Sequence, residues 1–588
     1  MNNLKTIRVF ASTSSKWLLF FFALILILFS NKFSNAQNQD LTTDKIPPRM
    51  PLHEFVKDEE LMKALIKGVR AMKERKPSDP LSWFYQAAIH GVTPEKIAEA
   101  AAQDPDVLNV DQKKYWNQCP HNSQESANFL PWHRAYTSHF ERILRAHTDE
   151  PRFSLPYWDY SKPENYRFPR EFGITKLSPK LAATVGHNYD NPLWYEDRNL
   201  YFASWEHWSN NYLPYVQLTP EAVDWSLAKD SLVFFGATEQ EGLGGGVADD
   251  DTNTRGLLES FPHDPLHRIT GIVVPDQIVF DPSSPGKVIT KAGDGLGMAK
   301  PATAGFDPIF SIHHSNIDRL WAEWSLMPDK GWGHFPPQEW FDEKPWFFFD
   351  PTVVFDPISN TGQLQAKPIN RARKEYFDHR ALGISFKYEN LNIRPLALPD
   401  QILLTAHKPI TDLKKPLSLA SFTVNVRVSG LRPERVSTSS ISQSLKVPAE
   451  KTRDQILFGA SSKRILMRIH GIDLSAIQST GFDVHIVTDS TKIPKRIDKS
   501  FVGTIALFRH SQKNQSPLKE HGNHNDLKST DSHDTFDITQ ALKAIDLSDL
   551  SKVNVVIVPY SLSARVDDGT KIAETSSLSF DRIEFLSE

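Results

Sequence analysis

The stretch "DPIFSIHHSNIDRLWAEW", residues 307–324, sets the fold class. Asp307 and Pro308 are helix-start residues, and Phe310, His314, Ile317 and Trp321 then recur at three- and four-residue steps along one face. A helix that carries a histidine on its apolar face either buries a satisfied imidazole or aims a ligand inward. His313 is turned by about 100° from His314 around such a helix, so the pair is not expected to serve one metal from this segment.

Working outward, the same pattern returns upstream. In "CPHNSQESANFLPWHRAYTSHFERILR" (119–145), His133, Phe140, Ile143 and Leu144 share a helical side, and His121 precedes them in a polar loop. "SWFYQAAIHG" (82–91) places Trp83, Ala87 and His90 at helical steps with Gly91 as a stop. "LLESFPHDPLHRITG" (257–271) sets His263 and His267 four apart. Proline is tolerated only in a helix's first turn, so Pro265 makes Asp264 the expected N-cap and leaves His263 just outside the helix. "GLGGGVADDD" (242–251) is expected to form a flexible surface loop, since it offers little apolar area to bury.

After residues 391–418, a proline-containing connection, the period changes. "FTVNVRVSG" (422–430) alternates Val424, Val426 and Val428 with polar residues, and "RILMRIHGI", "GFDVHIVTD", "FVGTIALFRH" and "KVNVVIVPYS" continue in that style. The expected architecture is multi-domain: a mainly α-helical bundle followed by a C-terminal β-sandwich. Its expected parts are a signal peptide at 1–36, a catalytic domain at 37–345, a connecting segment at 346–418 and the sandwich at 419–588. The signal rests on Lys5, Arg8 and Lys16, the apolar run "WLLFFFALILILFS" and small residues up to Ala36. It predicts export, to the outside or the periplasm, without stable membrane association after cleavage.

A formal net charge of -4 over 588 residues gives no electrostatic footprint for nucleic acid. One cysteine, Cys119, cannot form an internal disulfide in an exported chain.

These segments together resemble the tyrosinase, catechol oxidase and polyphenol oxidase family of type-3 dinuclear copper proteins. "FLPWHRAY…FERIL" and "DPIFSIHHSNIDRLWAEW" look like its two copper signatures, and "YFDHRALGISFKYE" (376–389) extends the match. The resemblance implies two copper ions, held by His90, His121 and His133 on one side and by His263, His267 and His314 on the other. Six imidazoles without thiolate or carboxylate suit copper better than calcium or magnesium. It further implies a small phenolic substrate, o-diphenols oxidised to o-quinones with O2 as co-substrate, with hydroxylation of monophenols left open. Glu259 and Asp264 fall where the family places groups that orient a water near the metals. Asn316 and Asp318 look like groups that orient the ligands, with Arg134 or Arg319 as partners. "CPH" matches relatives in which the cysteine is cross-linked to the histidine, giving a Cys119–His121 thioether. The interval from His121 to His133 is longer than usual in the family. That interval keeps open a decayed copper-free binding or structural protein, and the same copper pair used without turnover would make a haemocyanin-like oxygen-binding protein.

Overall fold

The computed structural model describes residues 46–396 apart from 121–125, 199–222, 237–241, 247–254, 281–287, 356–360 and some shorter stretches, and beyond 416 mainly the strands given below. The expected signal segment and His121 lie outside the described residues.

Among the described helices of the N-terminal body, five set up the site: α1 Glu59–Glu74, α2 Trp83–His90, α3 Phe129–Ala146, α4 Asp264–Thr270 and α5 Ile309–Ser325. Local chemistry starts them. Asp58 accepts from the amides of Glu60 and Leu61 at the head of α1, and Ser82 accepts from Tyr85 at the head of α2, which satisfies donors that a helix terminus leaves open. In α3 every residue from Phe129 to Leu144 is buried, as in a helix packed on all sides. Helix α5 is buried nearly throughout, so α3 and α5 form the centre of the body. Gly91 ends α2 at a close approach: a Cβ there would stand 2.7 Å from Ala302 Cα and 2.8 Å from the Pro301 carbonyl oxygen. The turn Pro301–Ala304 is thereby seated directly beyond His90.

The segment assigned by sequence to a connection from 346 onward is instead packed into this body. A hairpin of β1 Phe348–Phe355 and β2 Gly362–Ile369 lies on α3. Asp350 is fully buried and accepts from His139 Nδ1 at 2.7 Å. The carbonyls of Tyr376 and Phe377 accept from Arg134. Further on, Ser385 and Lys387 pair with both sides of Arg49, in the arm that precedes α1. Sequence periodicity could not show this, because the partners lie far apart along the chain.

The glycine run also departs from expectation. Gly242 to Gly246 is buried against Phe234, with the Leu243 and Gly244 amides donating to the carbonyls of Val233 and Phe234, while 247–251 of the stretch lie outside the described residues. A Cβ on Gly244 would fall 2.4 Å from the Phe234 ring. The glycines permit that approach; they do not mark a solvated loop.

The described C-terminal residues form eight strands: β3 Leu417–Ser429, β4 Glu434–Ser437, β5 Ile465–His470, β6 Thr480–Val487, β7 Phe501–Thr504, β8 His533–Asp537, β9 Asn554–Ser561 and β10 Ser577–Ser587. They make two four-stranded antiparallel sheets, ordered β4-β9-β6-β7 and β8-β5-β10-β3. Buried residues from both sheets, among them Met467, Ile469, Val484, Ile557 and Phe585, belong to one apolar cluster.

Candidate metal centre

Five of the six histidines expected as ligands fall inside the described residues, and they converge. His90 at the end of α2, His133 in the second turn of α3, His263 and His267 at α4, and His314 in α5 are each at most 2% exposed. The His133 and His314 rings stack at 4.1 Å, and the Nε2 atoms of His267 and His314 are 3.3 Å apart. His90 lies 5.7 Å from His133 and 6.4 Å from His314, centroid to centroid. His263 lies 4.4 Å from His267 and 4.9 Å from His314. Ring nitrogens of His263, His267, His313 and His314 stand within 4.8 Å of one another, and ligand atoms of His90, Cys119 and His133 form a second such group.

Hydrogen bonding fixes the tautomers. His133 Nδ1 is 2.8 Å from the Phe129 carbonyl and His267 Nδ1 is 2.8 Å from the Met298 carbonyl. A carbonyl only accepts, so the proton sits on Nδ1 and Nε2 carries the lone pair. His263 is oriented likewise by the Asp264 carboxylate, 3.0 Å from its Nδ1. Burial pushes His133 and His267 down to about 3, and holds His313 and His314 well below the usual imidazole value. Neutral imidazoles with fixed lone pairs are what a late first-row transition metal requires.

Apolar rings close the centre. Phe129 lies 4.5 Å from His133 and 4.6 Å from His263. Phe310 lies 4.5 Å from His90 and 4.4 Å from His314. Phe310 was visible as a face residue of its helix; Phe129, first residue of α3, carried no signal beyond hydrophobicity.

The supporting carboxylates are placed as follows. Asp264 is the first residue inside α4, with His263 at the N-cap position; it pairs with Arg255 at 2.9 Å and orients His263. The expected N-cap role is corrected, because the buried guanidinium and imidazole outcompete the helix terminus for the carboxylate. Glu259 accepts from the same Arg255 at 2.8 Å, and burial raises its carboxyl despite that partner. Arg255, on which both carboxylates converge, was missed by sequence reasoning; its spacing of four before Glu259 was the only available hint. Asp318 accepts from Arg134 Nε at 2.5 Å and from Arg49 at 3.0 Å, all three side chains at most 2% exposed, so these are not surface ion pairs. Asn316 accepts from Arg319 at 2.9 Å. Cys119 is partly buried with its sulfur 3.6 Å from His133 Nε2; the thioether expected with His121 has its histidine outside the described residues. His313, set aside by the helical-projection argument, stands beside His263 and His267 because α4 crosses α5 on that side.

Comparison with known proteins gives this arrangement a context. The family described as the common central domain of tyrosinase matches residues 80–327, and the chloroplastic polyphenol oxidase C-terminal domain matches 436–573. A tyrosinase of Hahella sp. (strain CCB-MM4) is 30% identical over 273 residues, 44% of this chain and 49% of that one, so the chain spans about half of that relative's length. Polyphenol oxidase C, chloroplastic, of Solanum lycopersicum is 25% identical over 525 residues, 88% of this chain and 71% of that one. The solved structure of latent apple tyrosinase is 19% identical, covers 92% of this chain and 97% of its own, and superposes with a TM-score of 0.47. Among the described residues no helix is long and apolar enough to cross a membrane. The two matched regions follow the order of helices and strands found here, and on these grounds the chain belongs to the tyrosinase and polyphenol oxidase family of copper oxidoreductases.

Proposed function

We propose that the chain is a type-3 dinuclear copper oxidase that converts o-diphenols to o-quinones with O2, and that it is exported by the segment 1–36. The observation that carries the reading is the meeting of five buried histidines from four helices, two with their lone-pair nitrogen fixed by the backbone. His90, His121 and His133 would hold one copper and His263, His267 and His314 the other. When bound, the pair supplies reversible one-electron chemistry at each metal and activation of O2.

The protein's own contribution is positional. Carbonyls of Phe129 and Met298 and the Asp264 carboxylate hold three imidazoles in one orientation. Phe129 and Phe310 keep bulk water from the centre, which strengthens electrostatic interactions there. Glu259, whose carboxyl burial raises, is the group we assign to hold a water that takes up the phenol proton and passes it to a Glu259 carboxylate oxygen. The two C-terminal sheets are taken as a β-sandwich packed face to face.

Copper per chain on purified protein, followed by catechol consumption and then by a monophenol, tests the reading. Two coppers with catechol turnover support it. Two coppers without turnover would favour oxygen carriage, and one copper or none after reconstitution would overturn it.

A further inference from the structure

His313 is the imidazole at the centre that no ligand role claims. Its side chain is 1% exposed, its ring lies 5.3 Å from His263 and 5.0 Å from His267, and one of its nitrogens is within ligand distance of the second histidine group. Proximity alone would make it a fourth ligand. Hydrogen-bond polarity decides otherwise.

Arg319 is held by Asp159 at 3.2 Å and Glu323 at 2.9 Å, and its Nε donates to Asn316 Oδ1 at 2.9 Å. A guanidinium only donates, so the Asn316 carbonyl is committed to that side and the amide NH2 is turned away from it. That nitrogen is buried with no hydrogen-bond acceptor among the described residues. Tyr160 is a buried phenol that keeps its proton, and a buried hydroxyl proton needs an acceptor. The acceptor that the described residues offer it is His313 Nδ1, at 3.1 Å. Nδ1 is then the acceptor, and the ring proton must sit on Nε2, which is buried with no hydrogen-bond partner among the described residues.

We infer that Tyr160 locks His313 in the Nε2–H tautomer, making it a hydrogen-bond donor into the centre that holds an anionic oxygen of a bound ligand, a phenolate or carboxylate, and not a metal ligand. The role as donor rests on the dicopper reading above; the tautomer does not. A preorganised neutral donor in a dry site costs no reorganisation when negative charge arrives.

Two measurements test this. In copper-free protein labelled with 15N-histidine, the His313 signal, identified by its loss in His313→Phe, is expected to report protonated Nε2 and unprotonated Nδ1. Protonated Nδ1 overturns the inference whether or not the chain takes up copper. In the cupric protein, copper per chain and the benzoate dissociation constant are followed through the copper absorption. His313→Phe and Tyr160→Phe are expected to keep the wild-type copper content and to weaken benzoate about tenfold, about 1.4 kcal/mol. His313→Gln, which retains an N–H donor, is expected to recover most of that loss. Loss of a copper in both His313 variants would show a ligand, and unchanged benzoate affinity in His313→Phe would show a packing residue; either result refutes the proposal. A wild-type chain without two coppers would overturn the oxidase reading while the tautomer measurement still stands.

Discussion

Asp318→Ala is the perturbation that the structure makes most quantitative. One carboxylate serves two buried guanidiniums: Arg134 Nε at 2.5 Å and Arg49 at 3.0 Å, with side-chain exposures of 1–2%. Arg49 retains Glu141, which accepts from its Nε and a terminal nitrogen at 3.0 and 2.7 Å. Among the described residues Arg134 keeps the carbonyls of Tyr376 and Phe377, the face of Trp321 3.4 Å away, and the more distant charge of Asp378, which makes no hydrogen bond to it. Removing one partner from a buried ion pair costs about 3–5 kcal/mol, most of it from the charge left uncompensated. Since only one of the two guanidiniums loses its hydrogen-bonded carboxylate, about 4 kcal/mol is expected. At roughly 2 °C per kcal/mol for a large cooperative unit, the thermal midpoint should fall by about 8 °C. Asp318→Asn, which keeps an acceptor at the same place, should fall less. Asp318 sits one turn past His314, and Arg134 directly follows His133, so copper content should fall with stability. The assay is near-ultraviolet circular dichroism at a fixed scan rate, with copper determined on the same samples. A midpoint within 2 °C of wild type in the alanine variant would refute the claim that this carboxylate neutralises Arg134.

Other outcomes follow from the same geometry. His267→Ala should reduce copper to one per chain or fewer and abolish catechol oxidation, read by metal analysis and quinone absorbance. Gly91→Ala should destabilise by about 1–3 kcal/mol, the usual cost of overpacking, because the added carbon meets backbone of Ala302 and Pro301 and not a movable side chain; its thermal midpoint and copper content should drop together. Burial raises the Glu389 carboxyl, but bonds from His379 and Arg380 outweigh this and bring it down to about 2. A depressed carboxyl stabilises fully above its ordinary value of 4.5, and the contribution disappears as pH falls towards 2. Allowing for partial solvent screening, it amounts to about 1–2 kcal/mol, so Glu389→Gln should lower urea stability at pH 7 and leave it unchanged near pH 2.

How far the sequence could be read depended on how local each signal was. The ligand helices announced themselves because three- and four-residue periodicity around His90, His133 and His314 is local, as is the HxxxH spacing of His263 and His267. The strands near Val424 and Val484 were equally plain from alternation. What stayed hidden required partners from distant segments. The hairpin at 348–369 has a strand-like pattern, yet only Asp350 meeting His139 on α3 makes it part of the helical body. His313 was judged by its angle on a single helix, whereas its neighbours His263 and His267 come from another. The glycines near 244 were taken as a sign of solvent when their use is to admit Phe234. Arg255 has no periodic signature, and its meaning appears only where two carboxylates meet.

The pairing of Arg49 with Ser385 and Lys387 bears on the order of synthesis. A growing chain presents Arg49 first and the backbone that flanks it more than 330 residues later, with Asp318 emerging between them. Until that closing segment leaves the ribosome, the guanidinium can meet Glu141 and Asp318, but the Arg49 backbone lacks its two partners and the arm has no strand to lie beside. The helical body is thus closed only once residue 387 has emerged, and until then the growing chain holds its ligand helices without the strap that ties the arm down.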